Sequence, residues 1–377
     1  MRSSSGEHYV ALDQVRAVAA FLVFTWHFTH APSGGPVPLE YVPLVPPFAL
    51  LDEGHTGVAV FMTLSGYLFA RLLQGRVIDY RAFLWNRLLR LLPLLAVVLL
   101  AVGLFQRGDE SVGTYLRRLV SGAVLPSLPN GGWSITTEFH FYALLPVLLW
   151  VLRRSPFLAL ALVPAALALR AVLHGLFGEV QTQAYWTIVG RFDQFVLGMI
   201  ACRARSWLAG RHLVAGGLGA GLVAFYTWFD AQGGLYQYPS YPSPSRLWIV
   251  FPTLEGVGYA TLIAWYEASF APRGRLARGV AWIGERSYSI YLLHFFFVFE
   301  LARFVDRRIM GLSNFYVACC WALVCFFLML PLAEISWRLV EAPPLRYRRR
   351  YVAEASRLQR GMSATSRAVL PRQTTTR

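Results

Sequence analysis

Three ionisable residues share one face of an apolar segment near the N-terminus. Asp13, Arg16 and His27 lie in ALDQVRAVAAFLVFTWH, a run with no other charged residue. In a helix, Arg16 and His27 lie about 20° apart around the axis and ~16 Å apart along it, with Asp13 within about 60° of both. Histidine is a competent general base at neutral pH, so this face is a candidate catalytic surface. The alternative is a structural stripe that is hydrogen-bonded to neighbouring helices.

The composition is that of a membrane protein. Of the 377 residues, 56% are hydrophobic and 15% are charged, whereas soluble domains carry about 25% charged residues. Apolar stretches of about 20 residues, long enough to cross a bilayer as helix, recur along the chain. The predicted fold class is all-α, a polytopic bundle of about ten transmembrane helices. The predicted spans are 10–30, 55–74, 88–106, 133–152, 156–176, 185–202, 212–230, 247–270, 287–305 and 314–340.

Arginine placement predicts the orientation of this bundle. The chain has no lysine, and most arginines fall in segments that are cytoplasmic when both termini are cytoplasmic, as the positive-inside rule requires. Loops 31–54 and 231–246 then face outside. We expect a membrane-embedded domain over 1–345 and a basic, disordered cytoplasmic tail over 346–377.

The remaining composition argues against other functional classes. The net charge of +15 follows from the loop and tail arginines, which suit contact with anionic lipid. No soluble module that could bind nucleic acid through this charge is predicted. The four cysteines show no metal-ligand spacing, so packing is their expected role and no metal site is predicted.

Seven polar-containing motifs follow one another along the apolar part of the chain. The first is the N-terminal segment quoted above, and the others are GVAVFMTLSGYLFARL (57–72), RLLRLLP (87–93), WSITTEFHFYALLP (133–146), GRFDQFVLGM (190–199), ERSYSIYLLH (285–294) and LVEAPP (339–344). Together they resemble, in order, the motifs of the acyltransferase-3 family, integral-membrane enzymes that move acyl groups from coenzyme A thioesters onto hydroxyls. The resemblance covers roughly residues 9–345.

Some positions depart from the family pattern. Glu138 and Glu341 match it, but Phe139 and His140 stand where Glu-Gln is more usual, and Ala342 stands where arginine is common. His140 is therefore given no family role.

The resemblance implies that arginines bind the acyl donor. Arg87 and Arg90 lie on one helix face at the inner end of the third predicted span, and guanidinium groups suit phosphate and diphosphate. Positive-inside anchoring is the alternative, but the family pattern favours a donor-binding role. Arg16, on the inner half of the first span, would continue the positive path towards the thioester.

Further matched positions are assigned to donor or substrate binding, namely Trp133, Arg191, Tyr288 and His294. His294 is expected in the inner half of the ninth span, along the donor route, with a structural hydrogen bond as the alternative. Arg191 and Asp193 are two residues apart and face different ways, which argues against an ion pair between them.

His27 and Glu138 form the predicted catalytic pair. Glu138 is expected just below the outer end of the fourth span, at the depth of His27, where its carboxylate would orient the imidazole of a general base. Direct contact between Glu138 and the acceptor is the alternative. His30 is expected to be a solvent-wetted end residue. Ser65–Gly66 fits tight helix packing and lacks the elbow motif of a nucleophilic serine.

The sequence thus predicts a membrane O-acyltransferase of the bacterial inner membrane. The expected co-substrate is acyl-CoA, most simply acetyl-CoA, with no tightly bound cofactor. The expected acceptor is a hydroxyl of a surface polysaccharide, a glycolipid or a glycosylated metabolite such as a macrolide. The alternative is a transporter or flippase, because polar residues at membrane depth also line substrate pathways. No inverted repeat of the transporter type is found in the sequence.

Overall fold

The structure is a computed structural model that describes residues 9–30, 35–73, 76–105 and 111–353. The α-helices are α1 (Val10–Thr29), α2 (Ala49–Asp52), α3 (Gly57–Leu73), α4 (Tyr80–Phe105), α5 (Val112–Ser121), α6 (Trp133–Arg154), α7 (Pro156–Phe177), α8 (Gln181–Trp186), α9 (Ile188–Leu208), α10 (His212–Ala231), α11 (Gly234–Gln237), α12 (Leu247–Ser269), α13 (Arg275–Glu285), α14 (Ser287–Leu293), α15 (Val298–Arg308) and α16 (Phe315–Ser336). Within this part of the chain the β structure is one short pair, β1 (Val77–Ile78) and β2 (Val352–Ala353). The predicted all-α class is confirmed.

The described residues contain seven helices long and apolar enough to cross a membrane, or eight if the bent pair α14–α15 is one span. Helices α1 and α9 coincide with predicted spans but are not among the seven. Both contain buried charged residues, such as Asp13 in α1 and Arg191 in α9, which lower their hydropathy. The predicted count of ten is therefore not confirmed, and the side on which the termini lie stays a prediction.

Helices α1, α3, α9 and α12 pack together in the centre of the bundle. Helices α3 and α9 approach closely because both present glycine to the other. A Cβ on Gly66 would lie 2.0 Å from Phe195 O, and a Cβ on Gly198 would lie 2.1 Å from Thr63 O. Tight packing at Gly66 is thus confirmed, while Ser65 lines the cavity described below.

Two buried ion pairs join α7, α9 and α12. Arg170 Nη2 lies 2.7 Å from Asp193 Oδ2, and neither side chain is exposed. Arg191 Nη1 lies 3.2 Å from Glu255 Oε2, so Arg191 and Asp193 take different partners, as predicted. Charged groups inside a membrane protein are costly unless paired, and here the pairing connects three helices.

The loops 35–48 and 231–246 meet at the end of the bundle where α1 ends, and Gln237 Nε2 donates to Glu40 Oε1 at 3.0 Å. Helix α2 crosses the end of α1, so His30 Nε2 lies 3.1 Å from Asp52 Oδ1. His30 is 7% exposed. The expectation that it is a wetted end residue is wrong, because α2 covers it.

The residues after α16 fold back at the other end of the bundle. A π-helical turn (Trp337–Glu341) and a 3₁₀ turn (Pro344–Tyr347) lead into β2, which pairs antiparallel with β1. Tyr351 is 1% exposed. The expectation of a disordered tail from residue 346 is therefore wrong for 346–353, and residues 354–377 lie outside the described part.

Candidate active site

A cavity of about 250 Å³ lies between α1, α3, α4, α6 and the α13–α14 segment. The predicted site residues that line it are Arg16, Arg87, Arg90, Glu138 and Tyr288. The predicted site residues that do not line it are His27, Trp133, Arg191 and His294. The structure therefore divides the predicted site into two parts.

Arg90 is held at the cavity wall by a carboxylate behind it. Its Nη1 donates to Glu341 Oε2 at 2.5 Å, and Glu341 is fully buried and also accepts from Ser289. The guanidinium lies over the rings of Trp337, at 4.9 Å, and Tyr288, at 5.6 Å. The matched residue Glu341 thus fixes the direction of Arg90.

Arg87 lies one helical turn before Arg90 and forms no ion pair with a carboxylate of the described residues. Its guanidinium rests on the rings of Phe69 and Phe83, at 5.1 and 5.4 Å. Its Nε is buried without a hydrogen-bond partner. Arg87 as a whole is half-buried, but a buried donor without a partner is costly, so this position favours a ligand that carries negative charge.

Arg16 and Glu138 face the same cavity from α1 and α6. Arg16 is ion-paired with Asp13, one turn earlier. Glu138 accepts a hydrogen bond from Tyr142 and lies within electrostatic range of Arg16, Arg87 and Arg90. The cavity therefore combines guanidinium groups with carboxylates that balance part of their charge.

The predicted pairing of Glu138 with His27 is wrong. Helix α6 begins inside the bundle, because the turn before it is packed against α14. Asn130 Nδ2 donates to Leu292 O at 3.3 Å, and Asn130 and Gly131 have φ values of 54° and 72°. A helix that begins below the bundle end places Glu138 deeper than the sequence suggests, beside the arginines.

His27 instead faces a second histidine. Its Nδ1 lies 2.8 Å from Val23 O and 3.3 Å from His294 Nε2, and His294 Nδ1 lies 2.7 Å from Tyr291 O. Carbonyl oxygens only accept, so with both rings neutral each Nδ1 carries the proton. His27 Nδ1–H is then shared between Val23 O and His294 Nε2, and His27 Nε2 keeps its lone pair.

The placement of His294 in the inner half of the bundle is wrong. The α13–α14 junction lies at the first turns of α1, since a Cβ on Gly284 would lie 1.7 Å from Asp13 O. Helix α14 therefore reaches the level of His27 within two turns. A 3₁₀ turn at His294–Phe296 and a 58° bend between α14 and α15 follow.

Tyr291 connects the histidine pair with the cavity. It lines the cavity, and its ring centroid lies 6.0 Å from that of His294. Its hydroxyl accepts from Ser134 Oγ at 2.7 Å and donates to Gly131 O at 3.0 Å. The histidine pair is therefore one side chain away from the arginine-lined cavity.

The chain matches a known protein family over most of its length. Residues 9–332 match the acyltransferase domain family that the motifs resemble. The chain belongs to this family.

Two curated proteins are similar to this acyltransferase domain. A putative membrane-bound transacylase of Komagataeibacter xylinus is 30% identical over 271 residues, which are 65% of this chain and 66% of that protein. A peptidoglycan O-acetyltransferase of Listeria monocytogenes is 24% identical over 382 residues, 90% of this chain and 56% of that protein. The chain thus spans less than two thirds of the length of one relative and about two thirds of the other. No solved structure matches the chain.

In the acyltransferase, Trp133 belongs to an aromatic cluster beyond the histidine pair. Its ring lies 5.4 Å from Tyr185 and 4.8 Å from Trp186. Trp26, which contacts His27 edge-on at 4.7 Å, stacks on Tyr236 at 5.8 Å. We call Trp26, Trp133, Tyr185, Trp186 and Tyr236 the aromatic cluster. It lies towards the end of α1, away from the cavity arginines Arg16, Arg87 and Arg90.

Arg191 lies behind this cluster and is 1% exposed. Its Nε donates to Tyr185 O at 2.9 Å, and its guanidinium lies 4.7 Å from the Tyr185 ring centroid. With Glu255 as its ion partner, Arg191 has the contacts of a residue that positions Tyr185. A direct role in donor or substrate binding stays a prediction.

No role is predicted from the sequence for Tyr142, Tyr291 or Arg348, yet all three line the cavity. The two tyrosines lie inside quoted motifs, and a tyrosine hydroxyl in an apolar run usually needs a polar partner. That requirement is the signal that identifies them. Arg348 lies in a run of arginines, RYRRR, in which the sequence does not distinguish one from another.

Proposed function

We propose that this domain transfers an acyl group, acetyl in the simplest case, from acyl-CoA to a hydroxyl of a carbohydrate-bearing acceptor. The observation that carries the proposal is the position of the histidine pair, one side chain beyond an arginine-lined cavity. Arginines suit the phosphates of the donor, and His27 Nε2 suits the proton of the acceptor hydroxyl. The relative named as an O-acetyltransferase supports a hydroxyl acceptor.

The donor reaches the histidines from the arginine end. Helix geometry separates Arg16 from His27 by ~16 Å along α1, and an extended pantetheine arm spans about 15–20 Å by standard bond lengths. The phosphates would then lie near Arg87 and Arg90, and the thioester near Tyr291. Because the Tyr291 ring lies between the cavity and the histidine pair, the proposal includes a movement of this side chain.

The reaction follows from the hydrogen bonds of the pair. The acceptor oxygen attacks the thioester carbonyl carbon as His27 Nε2 takes the hydroxyl proton, and His294 Nε2 holds His27 Nδ1–H. When the tetrahedral intermediate collapses, the C–S bond breaks and the thiolate takes the proton from His27. The products are an ester and free coenzyme A. Glu138 acts in the donor cavity, where the negative charge of its carboxylate partly offsets the positive charge of the arginines.

The acceptor approaches from the aromatic cluster. Aromatic side chains offer large apolar faces together with polar edges, which suits sugar rings that carry both C–H faces and hydroxyls. A surface polysaccharide or glycolipid and a glycosylated metabolite such as a macrolide both have this chemistry. The relative named for peptidoglycan favours a glycan polymer. In this arrangement the donor side is the cytoplasmic face of a bacterial inner membrane.

The test uses the purified chain in lipid nanodiscs with acetyl-CoA labelled in the acetyl group. Peptidoglycan fragments, a surface polysaccharide and a macrolide are supplied separately, and both free thiol release and label on the acceptor are measured. We expect equal amounts of thiol and labelled acceptor with at least one of the three. Thiol release no faster than in heat-denatured protein, with all three acceptors, would overturn the proposal.

A further inference from the structure

The segment that follows the last helix forms part of the cavity wall. Residues 344–353, which we call the clasp, run from the 3₁₀ turn at Pro344 to β2, which pairs with β1 just before α4. The clasp lies beyond the residues 9–332 that match the family. Arg348 in the clasp lines the same cavity as Arg16, Arg87 and Arg90.

The clasp is docked on the first half of α4 through its backbone. Asn86 Nδ2 donates to Arg349 O at 2.7 Å, and Arg349 N donates to Asn86 Oδ1 at 2.9 Å. Trp85 Nε1 donates to Tyr347 O at 3.1 Å, and the buried Tyr351 ring packs on Phe83 at 5.6 Å. Asn86 is 1% exposed, so its two hydrogen bonds are shielded from water, whereas the Trp85 bond lies at the surface. Together the three bonds hold the backbone on both sides of residue 348.

This docking gives Arg348 a lower solvent exposure than the neighbouring arginines have. Arg348 is half-buried at the cavity, whereas Arg346, Arg349 and Arg350 are exposed. Burial, together with the positive charges of Arg87 and Arg90, lowers the pKa of Arg348 to about 10. The Arg348 side chain is thus still charged at neutral pH and is held against two other cations. Three guanidinium groups at one cavity attract a ligand with several negative charges.

We propose that the clasp completes the phosphate-binding end of the cavity and that Arg348, with Arg87 and Arg90, contacts a ligand that carries several phosphate groups. Resting on the proposed function, that ligand is the nucleotide end of the acyl-CoA donor. Guanidinium–phosphate pairs are strong and directional, and a fixed backbone lowers the entropy lost on binding. Asn86 is a positioning residue for this contact.

The test compares Arg348→Gln with the matched variants Arg346→Gln and Arg350→Gln in the full chain, reconstituted in zwitterionic nanodiscs. A hydrogen bond to a charged group contributes about 1.5–3 kcal/mol, which corresponds to about 10- to 100-fold in affinity. We expect Arg348→Gln to weaken equilibrium binding of labelled coenzyme A by that factor. The KM for acetyl-CoA should rise equally, with kcat and the acceptor KM unchanged. The two controls should stay within about twofold of wild type.

Asn86→Ala tests the docking with Arg348 still present. It should weaken coenzyme A binding in the same direction, and the double variant should bind no more weakly than Arg348→Gln alone, because both changes remove one contact. Additive losses would show that Asn86 acts independently of Arg348 and would overturn its positioning role. Thermal melting of each variant checks that the chain is folded.

The binding measurement distinguishes this inference from the proposed function. If coenzyme A binding depends on Arg348 but no acyl transfer occurs, the proposed function fails and the phosphate site stands. If acyl transfer occurs with an unchanged donor KM in Arg348→Gln, the phosphate site fails and the proposed function stands. If Arg348→Gln changes binding only in nanodiscs that contain anionic lipid, the phosphate belongs to a lipid headgroup, and the donor assignment is overturned.

Discussion

The arginine-lined cavity and the histidine pair are neighbours in one bundle, but their surroundings differ in kind. The cavity wall is rich in charge, with guanidinium groups from α1, α4 and the clasp and carboxylates from α1, α6 and α13. The histidine pair lies among rings. The centroids of Phe295 and Phe299 lie 4.6 and 6.0 Å from that of His27.

This difference indicates a division of labour. A charged wall binds a charged ligand and tolerates water. A proton-transfer site benefits from apolar walls that exclude water and leave one nitrogen available. We therefore expect cavity variants to change donor KM, and histidine-pair variants to change kcat.

The largest expected effect is that of His27→Ala. Loss of a general base lowers kcat by about 10²–10⁴-fold, while binding of coenzyme A should be unchanged because His27 does not line the cavity. The matched control is His140→Ala, since His140 contacts Ala123 O at 3.3 Å and has no part in the proposed reaction. Near wild-type turnover in His27→Ala would remove His27 from the mechanism.

Arg87→Gln tests the other half of the comparison. We expect the KM for acetyl-CoA to rise about 10- to 100-fold, from the loss of a charged hydrogen bond, with little change in kcat. Arg81→Gln, an exposed change on the same helix, is the matched control. A rise in the acceptor KM with an unchanged donor KM would show that the two ends are assigned the wrong way round.

His294 should have a smaller effect, because its proposed role is to hold His27. Removing one hydrogen bond with His294→Ala should lower kcat about 2- to 10-fold. His294→Gln can still accept from His27 Nδ1–H and should retain more activity than His294→Ala, with the same KM values. Equal losses in the two variants would mean that His294 serves packing alone.

The smallest effect, none on activity, is expected for single cysteines that report topology. Cysteine is introduced at Ser240 or at Arg81, both exposed, in a chain from which Cys202, Cys319, Cys320 and Cys325 have been replaced. A membrane-impermeant thiol reagent should label Ser240→Cys in intact cells and Arg81→Cys only after permeabilisation. The reverse pattern would place the arginine end outside, away from cytoplasmic acyl-CoA.

The relative positions of two site residues could be predicted from the sequence where both lie on the same helix. The i,i+3 spacing of Arg87 and Arg90 puts both at one cavity. The placement of Arg16 and His27 on one face of α1, from the helix period, stays a prediction. Prediction from the sequence failed wherever the answer depended on the depth of one helix relative to another. For that reason Glu138 is predicted beside His27, whereas the structure places His294 there and Glu138 in the cavity.

The sequence by itself determined the helical membrane class, the family and the residue types available for phosphate binding and proton transfer. Those properties follow from apolar length, helix period and ordered motifs. Only the tertiary structure decided which residues meet. The half-buried turn at Asn130–Gly131 lowers α6, and the contact of Gly284 with Asp13 sets the level of α14. The hydrogen bonds of Asn86 bring Arg348 to the cavity. Each is a contact between segments far apart in the chain, and local spacing carries no information about such contacts.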